Sequence, residues 1–501
     1  DRTASTSDVA YSTTNYTTLT SWNSTGTTYY YGAYGRVWNN PVSPDYKCPV
    51  ASDKFTTTTT AKGNGKLTYP VGLITADEIT FAGLPAGETN NSFYLYTGAY
   101  YWPGSPDGFR VGNSYEFRVL GDGSLYDDRV NGNYGVRGVV SLSSDAKLIG
   151  DGTWNNVYEV EKKGYETILT NNGGEEVIKA KGSPDFSTVA TTNEGLYAAQ
   201  DDLGTSYYFR GAVDNNWVKF GKDSTGKDIY WRIIRINGDG SIRMIYSGTT
   251  APTESTKVVM IGTGTQINAT KYKFNSSENK AEYVGYQYID GEQHGYGECN
   301  GTSASCTVNG NTVYNSTIKQ AIDKWYAGTT LETDSATKAL VSQDQIFCND
   351  RSASSTQTSA WTSTGADYYY GAYERLTQTS KSPILTCPTA SDKFTVSTSN
   401  GNGALTYPVG LITADEVAMA GGNWATDNSS YYLYTNQNYW SGSPIRFNSS
   451  DSFAYGFSVY SSGRLSINDV NERSGAHPVV SLSSKAKLSG NGTYNDVYRV
   501  S

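Results

Sequence analysis

Two carboxylates stand side by side in the stretch YPVGLITADE, which occurs at 69–78 and again, unchanged, at 407–416. Asp77 with Glu78, and Asp415 with Glu416, have the residue types of a general acid–base pair. Sequence neighbours do not face each other on a helix, however, and the same residues satisfy another pattern. Thr75 followed by Glu78 is a capping box, and Ile74 with Ile79 has the spacing of a hydrophobic staple. The second copy repeats both with Thr413, Glu416, Ile412 and Val417, and Gly83 and Gly421 follow as helix stops. The stretch is therefore expected to start a core helix rather than to carry catalysis.

The five cysteines are the other reactive set. Cys299 and Cys306 flank the loop ECNGTSASC and are placed to close a local disulfide. Cys348 and Cys387 are placed to form a second one around a loop of roughly forty residues, a crosslink contributing about 3–4 kcal/mol in the chain-entropy account. Cys48 is left over: either it is a free buried thiol, or its partner lies upstream of residue 1 or on a neighbouring chain. No CxxC or histidine cluster accompanies these cysteines, so neither a metal nor another cofactor is expected. The chain lacks GxSxG, Walker and HExxH motifs, and NGDG at 237–240 lacks the later glutamate of a calcium loop. No catalytic residue is assigned and no enzyme is expected.

Composition sets the background. The 501 residues carry a net charge of −9, which argues against nucleic acid as a partner. Only 17% are charged, and 42 tyrosines stand against three methionines and two histidines. Tyr with Ser, Thr and Asn suits an extracellular, β-rich surface. No run of about 18 apolar residues is present to span a bilayer. Asp1-Arg2-Thr3 does not open a signal peptide, so a targeting segment is expected further upstream.

Self-similarity extends well beyond the decapeptide. YYYGAYGR at 29–36 matches YYYGAYER at 368–375, and CPVASDKF at 48–55 matches CPTASDKF at 387–394. VVSLSSDAKLIGDGTWNNVYEV at 139–160 matches VVSLSSKAKLSGNGTYNDVYRV at 479–500. The region 161–349 has no earlier counterpart. It holds the hairpin pattern YWRIIRINGDGSIRMIY at 230–246 and a helix whose apolar stripe is Ile318, Ala321, Ile322, Trp325 and Tyr326. In the second copy, YYLYTNQNYWSGSP reads as an aromatic strand ending in a turn, and 452–467 as an alternating hairpin. The expected fold is α+β with twisted, mostly antiparallel sheets. The expected domains are 1–160, the C-terminal half of a first module; 161–195, a junction; and 196–501, a complete second module.

YWSGSP, the hairpin after it and the PVVSL ending resemble the C-terminal half of bacterial C-type-lectin-like domains, the branch that includes the formylglycine-generating enzyme fold. With YYFRGAV, FCNDRS and YPVGLITADE added, the chain is similar over nearly its whole length to uncharacterised modules in surface proteins of Firmicutes-type bacteria. The resemblance implies tandem lectin-like modules with two short helices each. It does not carry over an activity. The enzymes use active-site cysteines, but none follows Cys387; the EPN-type loop and WND strand of calcium-dependent lectins are missing too. His477, in a variable ending, is expected at the surface or in packing rather than as a ligand.

Two functions compete. One is a secreted or cell-surface structural and adhesive protein, self-associating, in its sharper form a filament subunit. The other is a glycan- or protein-binding receptor-type module, phage receptor-binding proteins included. For the second, the stretches between YWxGSP and VVSLSS, 107–134 and 445–474, differ between copies. They offer Arg446, Arg464, Asn468, Asp469 and Arg473 as a candidate binding face, with ordinary surface residues as the alternative.

Overall fold

A computed structural model describes residues 1–2, 28–38, 41–60, 62–110, 112–143, 146–378 and 380–501. The chain divides into two compact units, Asp1–Val160 and Glu161–Ser501, and is mixed α+β with strands dominating.

The first unit opens with strand β1 (Tyr29–Tyr30) and helix α1 (Gly32–Val37). Strand β2 (Gly72–Leu73) leads to helix α2 (Ala76–Phe81), and β3 (Tyr101–Trp102), β4 (Pro106–Arg110), β5 (Asn113–Val119) and β6 (Leu125–Arg129) follow. The short strands β7 (Gly135–Val136), β8 (Gly138–Val139), β9 (Leu148–Ile149) and β10 (Glu159–Val160) close it. The main sheet runs β1-β4-β5-β3-β7, with β6 on β5; among the described residues β8 pairs with β2 alone. A small core of Tyr34, Val37, Ile79, Leu84, Phe117 and Leu125 sits between α1, α2 and this sheet.

Helices α3 (Gly164–Asn171) and α4 (Glu175–Ala180) open the second unit. Ile168, Leu169 and Ile178 enter its core. Strands β11 (Asn193–Asp201), β12 (Gly204–Gly211), β13 (Trp217–Lys222), β14 (Asp228–Ile236) and β15 (Ile242–Tyr246) come next, the last two being the hairpin around NGDG. Helix α5 (Thr317–Ala327) is followed by the short α6 (Thr330–Thr333) and α7 (Ser335–Ala339). Then come β16 (Phe347–Cys348), β17 (Tyr368–Tyr369), α8 (Gly371–Thr377), β18 (Lys393–Phe394) and α9 (Ala414–Met419). Finally β19 (Tyr439–Asn448), β20 (Phe453–Val459), β21 (Leu465–Asp469), β22 (Val479–Leu482), β23 (Leu488–Ser489) and β24 (Tyr498–Val500) complete the chain.

The second copy of the repeat rebuilds the first, with β17-β19-β20-β21 standing for β1-β4-β5-β6. What differs is its cover. β15 pairs antiparallel with β22, placing Ile242 opposite Leu482 and Met244 opposite Val480. β13 runs parallel to β24, with Val218 beside Tyr498. Residues from 168 to 498 thereby share one apolar core.

Three expectations need correction. Residues 196–501, expected to carry two helices, carry five α-helices among the described residues, α5 to α9. YYLYT is not a strand: Tyr434 N–H donates to the Tyr431 carbonyl at 3.0 Å in a turn, and β19 starts only at Tyr439. A continuous aromatic run has no period, and here it buries Tyr431 and Tyr432 from a turn instead. Finally, α5 buries more than its apolar stripe. Lys319 and Asp323, one turn apart, are fully buried as an ion pair, whereas Ala321 and Trp325 are only half-buried.

Candidate functional site

The decapeptide folds as its pattern demands. Thr75 Oγ1 accepts from Glu78 N–H at 3.1 Å, and the Glu78 carboxylate accepts from Thr75 N–H at 2.8 Å. In the second copy the same bonds are 3.1 and 2.9 Å, for Thr413 and Glu416. Gly83 and Gly421 follow at φ +106° and +113°, where a side chain is disfavoured. Asp77 and Asp415 turn to arginines: Arg36 Nε meets Asp77 at 2.7 Å, and Arg375 Nε meets Asp415 at 2.9 Å. Neither adjacent pair is aimed at a common substrate position.

Glu416 does something no local pattern announces. Its buried carboxylate is met by Arg235 at 3.0 Å and Arg243 at 2.6 Å, both from the β14–β15 hairpin. Arg235 also reaches Asp201 at 2.6 Å. Burial alone would push the Glu416 carboxyl up; Arg243 and Arg235 outweigh it and hold it below its ordinary value. The neighbouring cavity is only about 30 Å³, room for a water or two. This polar cluster is structural cement between hairpin and helix. In the first unit the matching cavity is about 190 Å³, lined by Arg36, Cys48, Asp53, Asp77 and Glu78. Among the described residues Glu78 meets no cation.

The cysteines follow the same division. Cys299 and Cys306 are bonded, with Cα atoms 5.8 Å apart, and Cys348 and Cys387 are bonded at 5.6 Å. Cys48, the counterpart of Cys387, is free and half-buried. Among the described residues, no group of three or more His, Cys, Asp or Glu side chains is disposed to hold a metal ion. His477 is buried, not at the surface. Its Nδ1 lies 3.3 Å from the Tyr246 carbonyl, its ring sits 4.4 Å from that of Tyr439, and burial drives the imidazole down to about 4.

The five candidate face residues do not form one cluster. Arg446 lies opposite Tyr455, and Tyr455 opposite Asp469, making one row across β19, β20 and β21. The Arg446 guanidinium sits 5.1 Å from the centre of the Tyr455 ring. Burial pushes the Asp469 carboxyl up, and Glu278, Glu472 and Asp451 push it further. Asn468 is spent internally, donating to Ser474 at 3.1 Å and accepting from Tyr460 at 2.8 Å. Arg464 lies in the turn at the hairpin's other end, 3.8 Å from Asp427. Arg473 is exposed and donates to the Lys271 carbonyl at 3.1 Å.

The first unit places different chemistry in the same window. Arg110 reaches Asp107 at 3.0 Å and also pairs with Asp127, while its guanidinium lies 4.3 Å from the Tyr115 ring centre. Tyr34, Trp38, Tyr126, Arg110 and Asp127 line a small cleft of about 90 Å³. Asp107 is completely buried; burial, helped by the Asp127 charge, raises its carboxyl to about 7, and burial raises Glu116 to about 7 as well. Isoleucine stands at the Asp107 position in the second copy, so this acidic centre belongs to one copy alone.

No family model, curated protein or solved structure matches the chain. Among the described residues no helix is long and apolar enough to cross a membrane.

Proposed function

We propose that this is a bacterial extracellular structural and adhesive protein, a subunit of a cell-surface filament built from repeated lectin-like modules. One observation carries the reading: the same repeated segment occurs twice, and its apolar face is covered in one copy and bare in the other. Val140 is 65% and Leu142 56% exposed, whereas their equivalents Val480 and Leu482 are 0% exposed. Soluble proteins seldom leave a contiguous apolar patch of this kind without a partner. The two disulfides support an oxidising, extracellular setting. Negative-stain microscopy of the purified chain tests the reading. Rods or ordered strings are the expected result; single particles at every concentration would contradict it.

A second reading, recognition of a glycan or protein, is favoured by the half-exposed row Arg446, Tyr455 and Asp469 and by the aromatic cleft at Trp38. These are side chains suited to stacking and hydrogen-bonding a polar ligand. A glycan array showing a signal that Arg446→Ala removes would support it; a blank array would count against it.

A further inference from the structure

The bare face of residues 1–160 carries three unfilled demands, and the second unit shows what fills each. The first is a strand edge. Gly138 and Val139 pair with Leu73 and Gly72 through β8 and β2, and 140–142 pair with no strand among the described residues, whereas the equivalent β22 pairs with β15 from Val479 to Leu482. Unpaired backbone beside exposed Val140 and Leu142 is a template for strand addition. Val71, 48% exposed against 0% for Val409, extends the same apolar surface.

The second demand is electrostatic. Glu78 is held by its capping box in the pose of Glu416, yet it lacks the arginines that β14 and β15 deliver to Glu416. A fixed carboxylate beside an open strand edge selects a cationic polypeptide over a lipid or a neutral glycan. The third is Cys48, which stands where Cys387 meets Cys348. All three complements come from one stretch, residues 201–348, which in this chain is committed to the core of the second unit.

We infer that the face formed by residues 69–78 and 136–142 is an acceptor for a second polypeptide segment with the chemistry of residues 190–349. That segment supplies a strand equivalent to Ile242–Tyr246, antiparallel to 139–142, and an arginine to Glu78. The inference rests on the half-module reading above and names its partner; it does not depend on filament formation.

The test uses the full chain and a synthetic peptide of residues 228–246, followed by fluorescence anisotropy and hydrogen exchange. Saturable binding is expected, with slowed exchange at 69–73 and 136–142. Glu78→Gln, which keeps the cap, should weaken binding on the order of tenfold, as should Arg243→Glu in the peptide. Val140→Asp, at an exposed position, should abolish it without changing thermal unfolding. Three results would each overturn the inference: protection only at 409–411 and 479–482, no protection anywhere, or protection of 136–142 before peptide is added. Peptide capture by a chain that microscopy shows only as single particles would leave the acceptor standing and remove the filament.

Discussion

The described residues of 1–160 and 350–501 are near-copies that fold alike and end in different surroundings. Both build a stapled, capped helix after YPVGLIT, and both lay the same four-stranded ladder beside it. Yet Tyr158 is 58% exposed while Tyr498 is fully buried, and Phe55 is 54% exposed while Phe394 is fully buried. Local signals therefore fix local structure in both copies, but the stability that each side chain contributes depends on the complement laid over it. Arg2 and Arg351 make the point with charge. Arg2 is 59% exposed on its partner Asp53, whereas Arg351 and Asp392 form the same pair with no exposure at all.

Identical substitutions in the two copies should therefore have unequal effects. The largest difference is expected for Glu416→Gln against Glu78→Gln. Removing the Glu416 charge leaves buried Arg243 without a carboxylate and Arg235 with Asp201 alone, and should cost about 3–5 kcal/mol, while Glu78→Gln should cost less than about 1 kcal/mol. Calorimetry on each variant, with the two units followed separately by hydrogen exchange, measures this directly. Next comes Leu482→Ala, expected to cost about 2–5 kcal/mol through the cavity it leaves, against under about 0.5 kcal/mol for the exposed Leu142→Ala. Similar costs for the two leucines would mean that the first face is covered in solution.

Acidity should separate the units by sign. Asp107 and Glu116, raised from 3.8 and 4.5 to about 7, bind protons more tightly folded than unfolded. Their contribution to the first unit is complete below the unfolded values and is lost as pH rises toward 7. His477, lowered from 6.5 to about 4, works the other way: its contribution is present above 6.5 and is lost as pH falls toward 4. Unfolding followed between pH 4 and 7 should show the first unit gaining from acid and the second losing. Asp107→Asn should flatten the first slope. The smallest effect is expected at Arg464, whose exposed contact with Asp427 at 3.8 Å should contribute no more than about 0.5 kcal/mol on Arg464→Ala.

What could be read from sequence was what short stretches decide alone. The capping boxes, the NGDG hairpin and the face of α5 are set by residues within one or two turns of each other. The arginines of 228–246 looked like ordinary strand residues, because nothing near them in sequence marks a glutamate more than 170 positions away. Lys319 and Asp323 were missed for a related reason. At helical spacing they suggest an exposed pair, and only the tertiary packing around α5 buries them. The candidate face was located by divergence between copies, which marks where strands differ but not which side chains converge. Hence Arg446 and Asp469 share a row while Arg464 and Arg473 lie apart.

Amide hydrogen exchange of the VVSLSS segments tests the central claim most directly, since the two are identical in sequence and their flanking residues make the fragments distinguishable. The account predicts strong protection at 479–482, where β15 completes the ladder, and fast exchange at 140–142 in the chain alone. Equal protection of the two segments would contradict it.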